Sequence, residues 1–110
     1  MMDSARHAVE RGKILFTLLE DYGARMTTLS SLHAALDLLG YPMTRESLQF
    51  SLTYLAEGGY VTLVRAKETP GYRADRATGV SPEAIALVKL TAKGVQLIDA
   101  KIPDDPMVRF

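Results

Sequence analysis

Residues 44–61 read TRESLQFSLTYLAEGGYV, and the fold prediction rests mainly on this segment. Thr44 is a residue type that caps helix N-termini, and leucines then recur at helical spacing until the pair Gly58-Gly59. Because an α-helix has about 3.6 residues per turn, the spacing predicts a helix over 45–57 with one apolar face. The residues of its predicted core face are Leu48, Ser51, Leu52 and Leu55.

A shorter helix is predicted immediately before this one, over 30–39. Gly40 takes the C′ position, where helices commonly end in a left-handed residue. Pro42 follows, and a proline disfavours helix at the residue before it. Two helices separated by so short a break have the spacing of a helix-turn-helix.

A longer amphipathic helix is predicted at the start of the chain, over 4–22, with Gly23 at its end. Its main apolar stripe contains Ala8, Leu15, Leu18, Leu19 and Tyr22. A second apolar edge contains Ala5, Val9 and Phe16. Gly12 lies between the members of this edge and permits close approach. The second edge is either the margin of a wide buried face or a contact between two copies of the chain.

Two strands are predicted after the third helix. β-branched and apolar residues alternate over 60–64, and a second strand is predicted over 84–90. Its inward-facing residues are predicted to be Ala86, Val88 and Leu90. The intervening residues 66–83 contain two prolines and two glycines, so we expect a long, exposed loop.

The last helix is predicted to begin after the capping residue Thr91, with Leu97 pointing away from the core. Its inner stripe is predicted to contain Val95, Ile98 and Ile102. Two prolines in residues 103–110 forbid a continuing helix, so this tail is predicted to be extended. The sequence therefore predicts one domain over 1–102 with an α+β, mostly helical fold. It has a three-helix core, a two-stranded β hairpin and a C-terminal helix.

This order of elements resembles the winged helix-turn-helix proteins, in which a β hairpin, the wing, follows a three-helix core. Residues 44–61 are similar to the recognition helix and first wing strand of bacterial regulators of the ArsR and MarR groups. The segment LTAKG, residues 90–94, resembles the motif that closes their wing. A narrower resemblance is to the small winged-helix proteins of Mu-like phages and prophages, whose IPG-like turn reads IPD at 102–104 here.

The resemblance implies a DNA-binding protein, a phage or prophage transcriptional regulator that reads the major groove of double-stranded DNA with helix 45–57. Its wing would contact phosphates. The expected DNA-binding residues are Arg45, Gln49, Phe50 and Thr53 on the helix and Lys67, Arg73 and Arg76 on the wing. Arginine pairs with guanine or phosphate, glutamine pairs with adenine, and phenylalanine or threonine contacts the thymine methyl group. We expect a homodimer through the first and last helices, because Val9, Phe16 and Leu97 leave apolar edges spare.

The charge balance of these elements argues against strong DNA binding. Residues 44–59 carry one arginine against two glutamates, and residues 60–83 carry four basic against three acidic side chains. Phosphate neutralisation supplies most non-specific affinity for DNA, so we expect a single copy to bind random duplex weakly. The wing cations are either phosphate contacts or ordinary solvated surface.

Phe50 leaves a second function open. An aromatic side chain at the centre of a polar helix face is packed under the wing or partly buried, contacts a base, or is kept for a protein partner. The last of these would make the chain a protein-interaction module on a winged-helix scaffold with little affinity for DNA. The resemblance suggests a phage assembly or packaging protein as its partner.

Composition narrows the remaining classes. The 110 residues carry 13 basic and 13 acidic side chains, so no global field attracts nucleic acid or membrane. The absence of cysteine removes disulfides and thiolate sites and fits a reducing, cytoplasmic setting. The longest apolar run, over 84–88, is far too short to span a bilayer. We expect no membrane association and no signal peptide.

An enzyme is not expected from this sequence. His7 and His33 are the only histidines, and they lie on different predicted helices without metal-ligand spacing. Neither a glycine-rich phosphate loop nor a facing carboxylate pair is present in the pattern. We therefore expect no catalytic residue, no metal and no cofactor.

Overall fold

The computed structural model describes residues 2–20, 22–23, 26–72 and 81–110. Within these ranges four helices accompany a small antiparallel sheet of three strands, which confirms the predicted α+β class. The elements in chain order are α1 (Met2–Leu19), β1 (Thr27–Thr28), α2 (Leu29–Leu38), α3 (Arg45–Glu57), β2 (Val61–Arg65), β3 (Ile85–Leu90) and α4 (Ala92–Ile98). A single 3₁₀ turn, Ala66–Glu68, follows β2.

Helix α3 has the predicted bounds. Its N-terminus is fixed because the Thr44 side chain accepts a hydrogen bond of 3.1 Å from the backbone N–H of Ser47. The chain leaves the helix through Gly58 and Gly59, and Gly59 has a φ of 82° that favours glycine. All four predicted core residues are buried: Leu48, Ser51, Leu52 and Leu55.

Helix α2 begins one residue earlier than predicted because Thr28 is its cap. The Thr28 side chain accepts a hydrogen bond of 3.1 Å from the Ser31 backbone N–H. At the other end Gly40 has a φ of 85°, which confirms its predicted place just after the helix. The short connection from α2 to α3 is thus set by local capping at both of its ends.

Helix α1 ends three residues before the predicted Tyr22, which is exposed and does not belong to the buried stripe. Ala8, Leu15 and Leu18 are buried as predicted. The inner face also contains Arg11, which is only 2% exposed and was not predicted to be buried. Arg11 therefore needs partners inside the fold.

The sheet contains three antiparallel strands in the order β1-β3-β2, one more than the predicted hairpin. Thr27 pairs with Val88 and Thr28 with Leu87. A strand of two residues is too short to show an alternating pattern, so periodicity does not reveal β1.

A bulge in β3 changes which residues face the core. Val64 pairs with Leu87, whereas Arg65 pairs with Ile85, so Ala86 is the extra residue. Ile85 is consequently buried and Ala86 is only half-buried, which makes the inward prediction for Ala86 wrong. Val88 and Leu90, beyond the bulge, are buried as predicted.

The prediction for Leu97 is also wrong, because this side chain is 1% exposed and joins the core. Gly94 explains the rotation of α4: a side chain there would overlap the Tyr60 carbonyl group, so the helix presents this face to the core. The predicted inner stripe lies at the margin of the core instead. Its members are half-buried: Val95, Ile98 and Ile102.

Candidate nucleic-acid interface

The outer face of α3 carries four of the predicted DNA-binding residues. Its members are Arg45, Glu46, Gln49, Phe50, Thr53 and Glu57. Arg45, Gln49 and Thr53 are four residues apart, so they form one stripe along the helix. Arg45 is exposed, and the other two are half-buried. The Thr53 hydroxyl donates a hydrogen bond of 2.9 Å to the Gln49 backbone carbonyl, which leaves its methyl group for outside contacts.

Phe50 is 57% exposed at the centre of this face. Its ring centroid lies 5.0 Å from that of His7, and the Arg11 guanidinium carbon lies 5.5 Å from it. Both neighbours belong to α1, so α1 supports one edge of the ring and the remainder faces outward. Phe50 is therefore an exposed aromatic residue, not a partly buried one, and it leaves apolar surface for a base or a protein.

Lys67, the predicted phosphate contact on the 3₁₀ turn, is paired with an acid of the same surface. Its Nζ atom lies 2.6 Å from Oε1 of Glu83. The hydrogen bond to the Glu83 carboxylate raises the pKa of Lys67, and the same bond lowers the pKa of Glu83. Exposed ion pairs of this kind are weak because water screens them, so a phosphate could replace the carboxylate.

The base of the β2–β3 pair is held by Arg65. Its backbone N–H donates to the Glu68 carboxylate at 3.0 Å, and its Nη1 atom donates to the Glu83 carbonyl oxygen at 3.2 Å. The two other predicted wing cations, Arg73 and Arg76, lie in residues 73–80, outside the described residues. The geometry of the described site is therefore that of α3 and the start of this loop.

The C-terminal segment, residues 103–110, meets the flank of α3 that adjoins Phe50, where Tyr54 lies one turn further along the helix. The Asp105 carboxylate accepts hydrogen bonds from the Tyr54 hydroxyl at 3.0 and 3.2 Å and from the Tyr60 hydroxyl at 3.0 Å. Burial and the hydrogen bond to Asp105 raise the pKa of Tyr60 to about 12, and the same causes raise the pKa of Tyr54. Sequence reasoning placed Asp105 in a separate tail and missed this junction.

Arg11 is the cation at this junction. Its guanidinium carbon lies 4.1 Å from the Tyr54 ring centroid, and its Nη1 atom donates to the Met107 carbonyl oxygen at 3.1 Å. Burial lowers the pKa of Arg11, while the nearby Tyr54 and Asp105 act in the opposite direction. An arginine stays charged under these conditions, so Arg11 balances the Asp105 carboxylate inside the fold.

Gly12 permits the close approach that its sequence position suggests, and the approaching chain is the C-terminal segment. A side chain at position 12 would overlap the Arg109 carbonyl oxygen. The Arg109 backbone N–H donates to the Ala8 carbonyl oxygen at 2.9 Å, and Val108 is buried in the core. Phe110 then packs edge-on against Phe16, with their ring centroids 5.1 Å apart.

The outer edge of α1 remains open beside this junction. Val9 is 42% and Phe16 is 41% exposed, and the Lys13 ammonium group lies 4.8 Å from the ring centroid of Tyr41. These residues border a shallow apolar groove between α1 and the connection from α2 to α3. Leu97, the other residue predicted to leave an apolar edge spare, is buried and does not extend this surface.

The two histidines lie apart on α1 and α2. His7 is next to Glu10 and Phe50, and the His33 Nε2 atom lies 2.7 Å from the Met43 carbonyl oxygen. Among the described residues, no three acidic or histidine side chains lie close enough together to hold a metal ion. No helix in the described ranges combines the length and apolar character needed to cross a membrane.

Comparison with known proteins adds no relative to this picture: no protein-family model, curated protein or solved structure matches the chain.

Proposed function

We propose that the chain is a DNA-binding protein of the winged helix-turn-helix kind, with α3 in the major groove and the β2–β3 pair on the phosphates. The observation that carries the proposal is the arrangement of α2 and α3 around a short capped connection, with the outer face of α3 open. The antiparallel β2–β3 pair follows, and β1 adds a third strand. This arrangement is compatible with a winged helix.

The side chains of α3 supply a chemistry for reading bases. Helix-turn-helix proteins contact base edges with the N-terminal part of the second helix. Arg45 is exposed in the first turn of α3, and Gln49 follows one turn later on the same stripe. Arginine is suited to guanine and glutamine to adenine, and each good bidentate pair discriminates by about 1–3 kcal/mol.

The electrostatics favour a protein that needs two copies to bind well. The outer face of α3 has Arg45 against Glu46 and Glu57, and Lys67 is paired with Glu83. A homodimer would double the phosphate contacts and present two copies of α3 to two half-sites. We place its contact on the outer edge of α1, at Val9 and Phe16. The role of phage or prophage regulator rests on the resemblance of residues 44–61 and 90–94.

The dimer is tested by light scattering at micromolar concentration. We expect twice the 12.1 kDa mass of one chain, and we expect Val9→Asp to reduce it to one copy. Leu38→Asp is the matched control, because Leu38 is 87% exposed at the end of α2 and does not line the groove beside α1. A wild-type mass of one chain would overturn the dimer.

The DNA-binding proposal is tested by fluorescence anisotropy of a labelled random duplex at about 50 and about 200 mM salt, the range over which phosphate-driven binding falls steeply. We expect micromolar binding that collapses at the higher salt. Arg45→Ala should weaken binding at least several-fold, and Lys101→Ala, a matched loss of one exposed cation on another surface, should not. Gln49→Ala should change which sequence is preferred in a selection experiment.

A second function is favoured by the exposure of Phe50. Phosphate contacts bind DNA most strongly at low salt, so a folded wild type that binds no duplex at about 50 mM salt would not be a DNA-binding protein. The outer face of α3 would then be the contact surface of a protein-interaction module, with Phe50 as its apolar centre. In that case Phe50→Ala should abolish capture of a partner from the phage assembly or packaging proteins and leave the fold intact.

A further inference from the structure

We propose that the C-terminal segment sets the orientation of α3 relative to the β2–β3 pair, with the Asp105 carboxylate as its positioning group. The consequence for DNA binding rests on the proposed function, whereas the consequence for orientation does not. Residues 103–110 then belong to the folded domain and help to orient its elements, whereas the sequence predicts an extended tail.

The carboxylate of Asp105 adds a side-chain link between two elements that already meet at the Gly58-Gly59 turn, where the Tyr60 backbone N–H donates to the Leu55 carbonyl oxygen at 2.9 Å. Tyr54 belongs to the third turn of α3, and Tyr60 lies at the point where the chain enters β2. Both hydroxyls donate to the same carboxylate at 3.0 Å. Charge-assisted hydrogen bonds are directional and stronger than neutral ones, so one carboxylate fixes the separation of the two rings.

The two tyrosine rings have little freedom of their own. A side chain on Gly58 would come within 2.7 Å of the Tyr60 ring, which therefore lies directly against the turn that follows α3. The Lys93 ammonium group lies 5.2 Å from the centroid of the same ring and donates to the Gly58 carbonyl oxygen at 2.8 Å. On α3, Arg11 covers the ring of Tyr54. A movement of the carboxylate is therefore transmitted to both elements.

The segment is seated on α1, which gives the carboxylate a fixed reference. Gly12 allows the Arg109 backbone to reach α1, the Arg109 N–H bonds to the Ala8 carbonyl, and Val108 enters the core. The Arg11 guanidinium group donates a hydrogen bond to the Met107 carbonyl oxygen in the same segment. The Asp105 side chain is also oriented by its own turn, because it accepts a hydrogen bond of 2.9 Å from the Met107 backbone N–H.

The test compares Asp105→Asn with Asp104→Asn in the full chain. Both changes remove one carboxylate from adjacent positions, but Asp104 is exposed and Asp105 holds the two tyrosines. An asparagine retains only one acceptor oxygen for two hydroxyl donors. The orientation of α3 relative to the β2–β3 pair is measured without DNA, from amide residual dipolar couplings of the two elements. Duplex affinity is measured separately by anisotropy.

We expect the couplings of α3 and the β2–β3 pair in Asp105→Asn to depart from the wild-type arrangement, while Asp104→Asn retains it. Duplex affinity should fall by about tenfold in Asp105→Asn, comparable to the loss of one well-aligned base contact. If Asp105→Asn does not fold, Tyr60→Phe provides the same test, because it keeps the ring and removes one donor.

Unchanged couplings in Asp105→Asn, or in Tyr60→Phe if that variant is needed, would overturn the positioning role. The failure of the proposed function has a different signature. A wild type that binds no duplex at about 50 mM salt removes DNA binding, while the couplings still decide whether Asp105 orients α3. A change in couplings with no change in duplex affinity would overturn the link between orientation and DNA binding.

Discussion

The two sides of α3 are held in contrasting ways. Its outer face carries Arg45, Gln49 and Phe50, and the charge of Arg45 is outweighed by those of Glu46 and Glu57 on the same face. The adjacent flank carries Tyr54, which contacts a buried cation, a carboxylate and, through that carboxylate, the residue that precedes β2. A helix can therefore leave part of its surface open for a partner because the neighbouring flank is tightly fastened.

The largest expected effect comes from removing the cation on the fastened side. Arg11→Ala should lower the free energy of unfolding by about 3 kcal/mol, because it removes the buried cation over the Tyr54 ring and leaves the Met107 carbonyl oxygen without its donor. Urea unfolding measures this change. Arg6→Ala is the control: its side chain is 66% exposed and forms a surface ion pair with Glu10, so the loss should stay within about 0.5 kcal/mol. Equal losses in the two variants would contradict the contrast.

The next largest effect is a pH dependence of the free energy of unfolding, caused by Tyr60 at the Asp105 junction. The pKa of Tyr60 is raised from 10.0 to about 12 in the folded chain, so the folded state holds this proton more tightly than the unfolded state. The contribution of the protonated Tyr60 hydroxyl to the free energy of unfolding is complete below pH 10 and is lost as the pH rises towards 12. The loss should be about 2 kcal/mol in urea unfolding.

Tyr60→Phe is the reference for this measurement, since it cannot ionise at that position. The difference in unfolding free energy between wild type and Tyr60→Phe should shrink from pH 10 to pH 12. A constant difference over that range would show that Tyr60 is not held protonated by the fold.

The smallest effect is expected on the open side. Phe50→Ala should lower the free energy of unfolding by less than about 1 kcal/mol, because more than half of the side chain is already exposed to water. Leu52→Ala, two residues along the same helix and fully buried, should cost about 2–5 kcal/mol. Thermal or urea unfolding of the pair measures the asymmetry, and comparable costs would mean that Phe50 is covered.

Local signals accounted for α3 and the connection before it. Thr44, the leucine spacing and the glycine pair act within a few residues of one another, so capping and periodicity were enough to place both ends and the buried face. The same signals placed Gly40 at the end of α2. The sequence could therefore place the four helix residues of the candidate site outside the core face of α3, whereas their role in binding DNA stays a prediction.

The remaining features depend on contacts between distant parts of the chain. β1 exists because β3 lies beside it, the bulge at Ala86 reverses the facing of Ile85, and Gly94 turns Leu97 inward against Tyr60. No period in the sequence contains this information. Gly12 did signal a close approach, but it did not reveal that residues 103–110 were the partner.

The separation of these contacts along the chain has a consequence for the order of folding. Arg11 and Met107 are 96 positions apart, and Asp105 lies 51 and 45 positions from its two tyrosines. Closing such loops costs entropy before any contact forms, so local helices such as α2 and α3 are expected to form early and the C-terminal segment to dock late. Unfolding should begin with the release of this segment. The Arg109 amide should therefore exchange its hydrogen with solvent faster than the amides in the centre of α3.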